Sequence, residues 1–154
     1  GVRLAGRKVA VVGCGGAGRA AAVGLVRAGA ETVLVNRGRD RGRRAADLLG
    51  LPLVPLAGFR PDGYSLVVHA TPLCDELPFQ VDRLPAGAVV VDLVYRPGPT
   101  ALTAIARDLG LRTIDGWEVL DIEVTRQFAL MTGHPLPALD RPLLEPAGSV
   151  GDLR

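Results

Sequence analysis

The chain has 154 residues, 48% of them hydrophobic and 22% charged, which suits one compact domain with a core and excludes a disordered segment. Eighteen basic and sixteen acidic residues leave a net charge of +2 with 4% aromatic content, so neither the broad basic surface nor the stacking platform of a nucleic-acid binder is expected. No apolar run approaches the roughly 18 residues of a membrane span, no signal-peptide pattern opens the chain, and Cys14 and Cys74 lack zinc-ligand spacing; the expectation is a cytoplasmic protein with no membrane, nucleic-acid or metal partner.

In chain order, RKVAVVG (7–13) reads as a buried strand ending in glycines, and the alanine-rich GAGRAAAVGLVRAGA that follows reads as a helix. ETVLVN (31–36) predicts a second strand, and GRDRGRRAADLLG a helix with a basic start, stopped by Gly50 and Pro52. LPLVPL is a short third strand, YSLVVHAT (64–71) a fourth, and GAVVVDLVY (87–95) a fifth, with a loop joining the last two. Pro99 and Thr100 open a helix through Leu109, LRTID forms a sixth strand, and a last helix runs from about Trp117 to Thr132, stopped by Gly133. Apolar strand runs without clean alternation predict an α/β domain: a doubly wound, mainly parallel sheet with helices on both faces. Residues 1–133 form this domain, and 134–154 form a proline-rich tail that hangs loosely or packs as a short cap.

Gly13, Gly15 and Gly18 spell GxGxxG between a predicted strand and helix, the context that makes this short motif informative. Gly13 permits the tight turn, Gly15 lets a pyrophosphate approach the backbone, and Gly18 lets helix and strand pack closely. The amides of Gly16 and Ala17 and the helix N-terminus then face the phosphates. Cys14 inside the turn is a small buried spacer. NAD-selective sites place an acidic residue about 20 positions further on. Here the second strand ends in Asn36 and Arg37, inside VNRGRDRGRR, a stretch with five arginines in ten residues. A carboxylate would repel a 2′-phosphate, whereas Arg37 and Arg41 can bind one, so NADP is the expected cofactor. Arg39, Arg43 and Arg44 are assigned to a solvated basic face.

LAGRKVAVVGCGGAGRA, VNRGRDR, HATPL, VVVDLVYRPGPTAL and DGWEVLDIEVTRQFALMTG, in this order and spacing from about Leu4 to Gly133, resemble the NADP-binding domain of shikimate dehydrogenases. The resemblance implies a Rossmann-like fold and the NADPH-dependent reduction of 3-dehydroshikimate to shikimate in aromatic amino-acid biosynthesis. It places Asn36, Arg37 and Arg41 at the adenosine phosphate, and Thr71 and Gly116 near the nicotinamide end. Gly38 stands where the family often has a threonine touching the phosphate, so one contact is lost, and Val119 replaces a methionine near the nicotinamide. The family draws its lysine and aspartate proton donor from an N-terminal substrate domain that these residues do not include. The single lysine, Lys8, opens the first strand at the wrong end of the sheet. No catalytic residue is therefore assigned. The chain is expected to bind cofactor and to meet a shikimate-like molecule only when joined to a substrate domain; the partners expected of the chain itself are that missing N-terminal domain or further copies in a homo-oligomer. The alternative is a noncatalytic nucleotide-binding or interaction module derived from this family.

By the same resemblance Tyr95 borders the substrate, and Glu123 stands where the family has a glutamine reaching substrate oxygens. Three readings of Glu123 stay open: an altered substrate, a decayed site, or a solvated side chain. Trp117, Leu120, Val124, Phe128 and Met131 form an apolar stripe at helical spacing, expected in the core. His69 is read as a satisfied hydrogen-bonding residue, and His134 as a neighbour of the last helix's end. Asp92 and Tyr95 are expected to close the fifth strand, with Asp92 capping or orienting the loop beyond.

Overall fold

The structure is a computed structural model, and it describes residues 3–137. The expected tail lies outside the described residues beyond Pro137. Six strands form one sheet: β1 (Lys8–Val12), β2 (Glu31–Asn36), β3 (Leu53–Pro55), β4 (Leu66–His69), β5 (Val89–Asp92) and β6 (Arg112–Ile114). Their order is β3-β2-β1-β4-β5-β6, and every neighbouring pair is parallel. The helices are α1 (Gly16–Arg27), α2 (Arg39–Leu49), α3 (Ala101–Asp108) and α4 (Gly116–Thr132).

The strands are valine-rich because both faces are covered, and the pleat sends alternate residues to two separate cores. Val9, Val11, Leu34, Leu66, Val68 and Val89 pack under α1 and α2 against Ala22, Ala45 and Ala46. Ala10, Val12, Val35, Val67 and Val90 face the other way, onto Leu102 and Ala106 of α3 and onto Phe59, Phe79, Val81 and Leu84. No α-helix joins β3 to β4 or β4 to β5. Short 3-10 turns at Leu56–Gly58 and Val81–Arg83 take those places, and Phe59 fills the space by packing on Tyr64 and Phe79 at 5.4 and 5.8 Å between ring centres.

Helix starts fall into two kinds. Thr100 caps α3 and Asp115 caps α4, each in a reciprocal capping box, with Thr103 and Glu118 as the returning side chains. α1 and α2 begin at Gly15 and Gly38, which supply no side-chain cap. The first-turn N–H groups of those two helices thus have no capping side chain to accept from them.

Two expectations need correcting. Tyr95 does not close β5, which ends at Asp92; it stands three residues beyond, 60% exposed. Nor is the stripe on α4 core: Gly116 is the one buried residue of that helix, Trp117, Leu120, Val124 and Phe128 are half-buried, and Met131 is 84% exposed. The spacing for an amphipathic helix is present, but among the described residues no element faces most of its apolar side. α3, by contrast, is pressed onto the sheet by Leu102, which is 1% exposed. Replacing Leu102 with alanine is expected to cost about 2–5 kcal/mol, and Leu130→Ala, at an 87% exposed position, under about 0.5 kcal/mol. Urea unfolding midpoints of the two variants check this contrast.

Candidate functional site

The carboxyl ends of β1 and β4 lie side by side where the strand order reverses, the position at which sheets of this kind bind ligands. A cleft of about 630 Å³ opens there, and Val12, Gly13, Asn36, Arg37, Arg41 and Thr71 are among its lining residues. Backbone closeness shapes its floor. A Cβ on Gly13, at φ +111°, would lie 2.5 Å from the Ala70 carbonyl oxygen and 2.9 Å from Thr71 Cγ2. At Gly18 a Cβ would run into the Gly13 carbonyl oxygen. Both positions exclude a side chain. Gly15 and Gly16 differ: a Cβ on either would meet nothing within 4 Å. Their bareness is not required by packing, and it leaves the backbone at the start of α1 open, with Gly16 and Ala17 exposed.

Asn36 binds this turn to the next loop. Its side-chain oxygen accepts from the Cys14 N–H at 3.2 Å, and its amide nitrogen donates to the Gly38 carbonyl at 2.7 Å. Sequence reasoning grouped Asn36 with the arginines at the phosphate; its hydrogen bonds here run within the protein and set the spacing between the two uncapped helix starts. Cys14 is buried, and burial pushes its thiol above the ordinary range, in keeping with a spacer.

Arg37, Arg39, Arg41 and Arg44 all line the cleft, with Asp40 beside them. None of the four forms a salt bridge among the described residues. Arg39 and Arg44 were expected to face solvent. Arg41 and Arg44 lie three positions apart, on one side of α2, and Arg39 is the first residue of that helix, at its edge on the cleft. Arg43 is exposed and lines no part of the cleft, as expected.

Gly116 lies elsewhere, in a second cavity of about 170 Å³ between Val94–Gly98 and the starts of α3 and α4. A Cβ there would strike the Val94 carbonyl, so the glycine lets α4 start against the β5 exit. Trp117 fixes the same junction by donating its indole N–H to the Arg96 carbonyl at 2.9 Å. Tyr95 and Glu123 line neither cavity. Glu123 is exposed and accepts from the Gln127 side chain one turn on at 3.0 Å.

Sequence reasoning missed a buried polar network at the ends of β4 and β5. His69 and Asp92, both 0% exposed, are partners in the strand register, with His69 Nδ1 2.9 Å from Asp92 Oδ1. His69 Nε2 is 2.5 Å from Thr71 Oγ1. Thr100 Oγ1 donates to Asp92 Oδ2 at 2.6 Å, and the Val94 N–H donates to Oδ1 at 3.1 Å. The signal was available as two polar residues ending adjacent apolar strands, but only the pairing register aligns them. Burial pushes the Asp92 carboxyl up, yet hydrogen bonds from His69, Thr100 and Val94 outweigh it and hold the group below the usual carboxylate range.

An all-parallel sheet in this order, with a bare glycine turn at the switch point and basic residues beyond the second strand, defines a Rossmann-type domain of the dinucleotide-binding class. No protein-family model matches the chain. The shikimate dehydrogenase (NADP(+)) of Rhodopseudomonas palustris is 40% identical over 147 residues, covering 88% of this chain and 52% of the relative. Among solved structures, shikimate dehydrogenase from Aquifex aeolicus superposes with a TM-score of 0.79 at 27% identity, covering 88% of this chain and 52% of that one. The Thermus thermophilus enzyme in complex with NADP(H) and shikimate does so with 0.74 at 35% identity, covering 82% and 49%. The chain belongs to the shikimate dehydrogenase family and corresponds to the C-terminal part of its members. It spans 24% of the length of the bifunctional Arabidopsis thaliana relative and 55% of that of the Moorella thermoacetica one, so it covers about half or less of these proteins.

No helix among the described residues is long and apolar enough to cross a membrane, and no group of three or more potential ligands among them could hold a metal ion. The Asp92 network carries a pH dependence. Because its carboxyl titrates lower when folded, its stabilisation is complete above the unfolded value near 3.8 and is lost as pH falls from there through the folded value. Asp92→Asn is expected to flatten the loss of stability below pH 4, and Thr100→Val, which removes one donor, to reduce it. Urea midpoints measured from pH 6 to pH 3 check both.

Proposed function

We propose that the chain is the NADP-binding domain of a shikimate or quinate dehydrogenase-type oxidoreductase, reducing 3-dehydroshikimate to shikimate once joined to a substrate domain. The observation that carries this reading is the cleft itself: it extends from Gly13, two residues before the uncapped start of α1 at Gly15, to four arginines that form no salt bridge among the described residues. Those features fit a dinucleotide bearing an extra phosphate. Arg37 and Arg41, with Arg39 and Arg44 beside them, hold the 2′-phosphate, and the Gly15, Gly16 and Ala17 backbone at the start of α1 takes the pyrophosphate. Asn36 orients the loop that carries the arginines. The Thr71 side of the cleft and the Gly116 junction receive the nicotinamide half.

NADPH, when bound, supplies the hydride. Ketone reduction also needs a proton for the oxygen, from a donor within hydrogen-bond reach. Lys8 is exposed at the start of β1, remote from the carboxyl-end cleft, so it does not serve. The proton comes from a substrate domain, which accords with the chain's spanning about half of its relatives. The partly covered apolar side of α4, the helix that carries Glu123 and whose Trp117 ring centre lies 6.2 Å from that of Tyr95, suits contact with that domain. The reading places the protein in aromatic amino-acid biosynthesis in the reducing cytoplasm, where Cys14 and Cys74 stay thiols.

Titration with NADPH and NADH tests the assignment, and failure to bind NADPH at millimolar concentration overturns it. Arg37→Ala is expected to weaken NADPH by roughly 10- to 100-fold and NADH far less, since charge-assisted hydrogen bonds to the 2′-phosphate are lost. Equal losses for both cofactors refute the phosphate contact. Gly15 has φ −74° and ψ −169°, open to any residue, with no atom near its missing Cβ. Gly15→Val should therefore fold as wild type and still weaken both cofactors; unchanged affinity removes the turn from the site.

A further inference from the structure

The cleft meets Thr71 after two buried residues have acted on it. Asp92, with its carboxyl held below the usual range, receives hydrogen bonds from Thr100 and Val94 and can offer only lone pairs to His69 Nδ1. The His69 ring therefore carries hydrogen on Nδ1, and in the neutral imidazole Nε2 is a bare acceptor. Thr71 Oγ1 lies 2.5 Å from that nitrogen, and its other contact among the described residues is the Leu73 N–H at 3.4 Å, itself a donor. The hydroxyl hydrogen has one acceptor within reach, His69 Nε2. With its hydrogen turned inward, Thr71 can offer a ligand in the cleft only a lone pair.

We propose that His69 is a positioning residue: anchored by Asp92, it locks the Thr71 hydroxyl as a hydrogen-bond acceptor towards the cleft, selecting a donor group on the ligand half that lies over β4. The inference rests on the dinucleotide reading above. With the arginines beyond β2, the glycine turn after β1 and Thr71 after β4, the half remote from the 2′-phosphate is the one that reaches Thr71. That half offers two donors, the ribose hydroxyls and the carboxamide N–H. A phosphate oxygen, which only accepts, is disfavoured there, so the lock also discourages the pyrophosphate from sliding towards β4.

The chain's two histidines make the lock directly visible. Imidazole nitrogen NMR of the intact, ligand-free chain should show His69 with hydrogen on Nδ1 and none on Nε2, and a protonated Nε2 at neutral pH overturns the proposal. Binding is then measured for NADP⁺, for its 3-acetylpyridine analogue, which lacks the amide N–H, and for 2′-phospho-ADP-ribose, which keeps the ribose but lacks nicotinamide. Thr71→Val should weaken NADP⁺ about 5-fold, the worth of one ordinary hydrogen bond. His69→Asn, which can reach Asp92 but not Thr71, should do the same, and His69→Gln, whose amide oxygen replaces the Nε2 acceptor, should restore most of the affinity. Losses that persist with all three ligands assign the donor to the ribose, and losses seen with NADP⁺ alone assign it to the carboxamide; either supports the lock. If Asn and Gln behave alike, or Thr71→Val changes nothing while the ligands still bind, the lock is refuted and the cofactor reading stands. If wild type binds none of the three, the cofactor reading fails first.

Discussion

The approach of bare backbone to bare backbone at Gly13 and Gly18 governs everything at the carboxyl edge of this sheet. With no Cβ at either position, the start of α1 settles against the exit of β1, and the β4 exit at Ala70 and Thr71 closes on the same turn. A methyl group at Gly18 would push the helix away by its own contact with the Gly13 carbonyl. The cleft floor is thus made of main chain, and the start of α1 meets it without a side chain in between. Steric necessity accounts for these two glycines but not for Gly15, where a Cβ would meet nothing within 4 Å.

Electrostatics follow the same division. α3 and α4 complete their own N-termini with Thr100 and Asp115, whereas α1 and α2 start at glycines and leave their first amides without a capping side chain. Three arginines are paired, Arg83 with Asp62, Arg96 with Asp75 and Arg107 with Asp115, and none of these lines the larger cleft, whose four arginines form no salt bridge among the described residues. Asn36 then has a structural task, since its two bonds tie the glycine turn to the loop that carries Arg37. Four guanidinium groups that share one cleft with the uncapped start of α2, and form no salt bridge among the described residues, are hard to account for by stability alone, because like charges held together repel.

Much of this was legible in the residues. Valine-rich runs with no alternation predicted a sheet covered on both faces, and the glycine spacing located the turn and the strand preceding it. The helix stops at Gly50 and Gly133, with φ +64° and +73°, also follow from composition. What was not legible depends on register and direction. Neither His69 nor Asp92 announces a partner, because their meeting depends on how β4 slides against β5. Arg39 and Arg44 could not be separated from Arg43 without knowing where α2 begins and which side faces the sheet. The apolar stripe of α4 had the correct period, but periodicity gives the side of a helix and not what covers it.

The two cavities bear on how such a domain works. Thr71 and Gly116, grouped by resemblance, stand at different openings, the first over β1 and β4, the second at the junction of β5 with α3 and α4. Asp92 lies between them. Through His69 it reaches Thr71 and the larger cleft, and through Thr100 and Val94 it holds the start of α3 and the loop that roofs the smaller cavity. One buried carboxylate therefore fixes the loops at both openings, and with no exposed surface it has no solvent to replace a lost partner. The ends of β4 and β5 are thus tied by one hydrogen-bonded network to residues at both openings, Thr71 on one side and Val94 and Thr100 on the other.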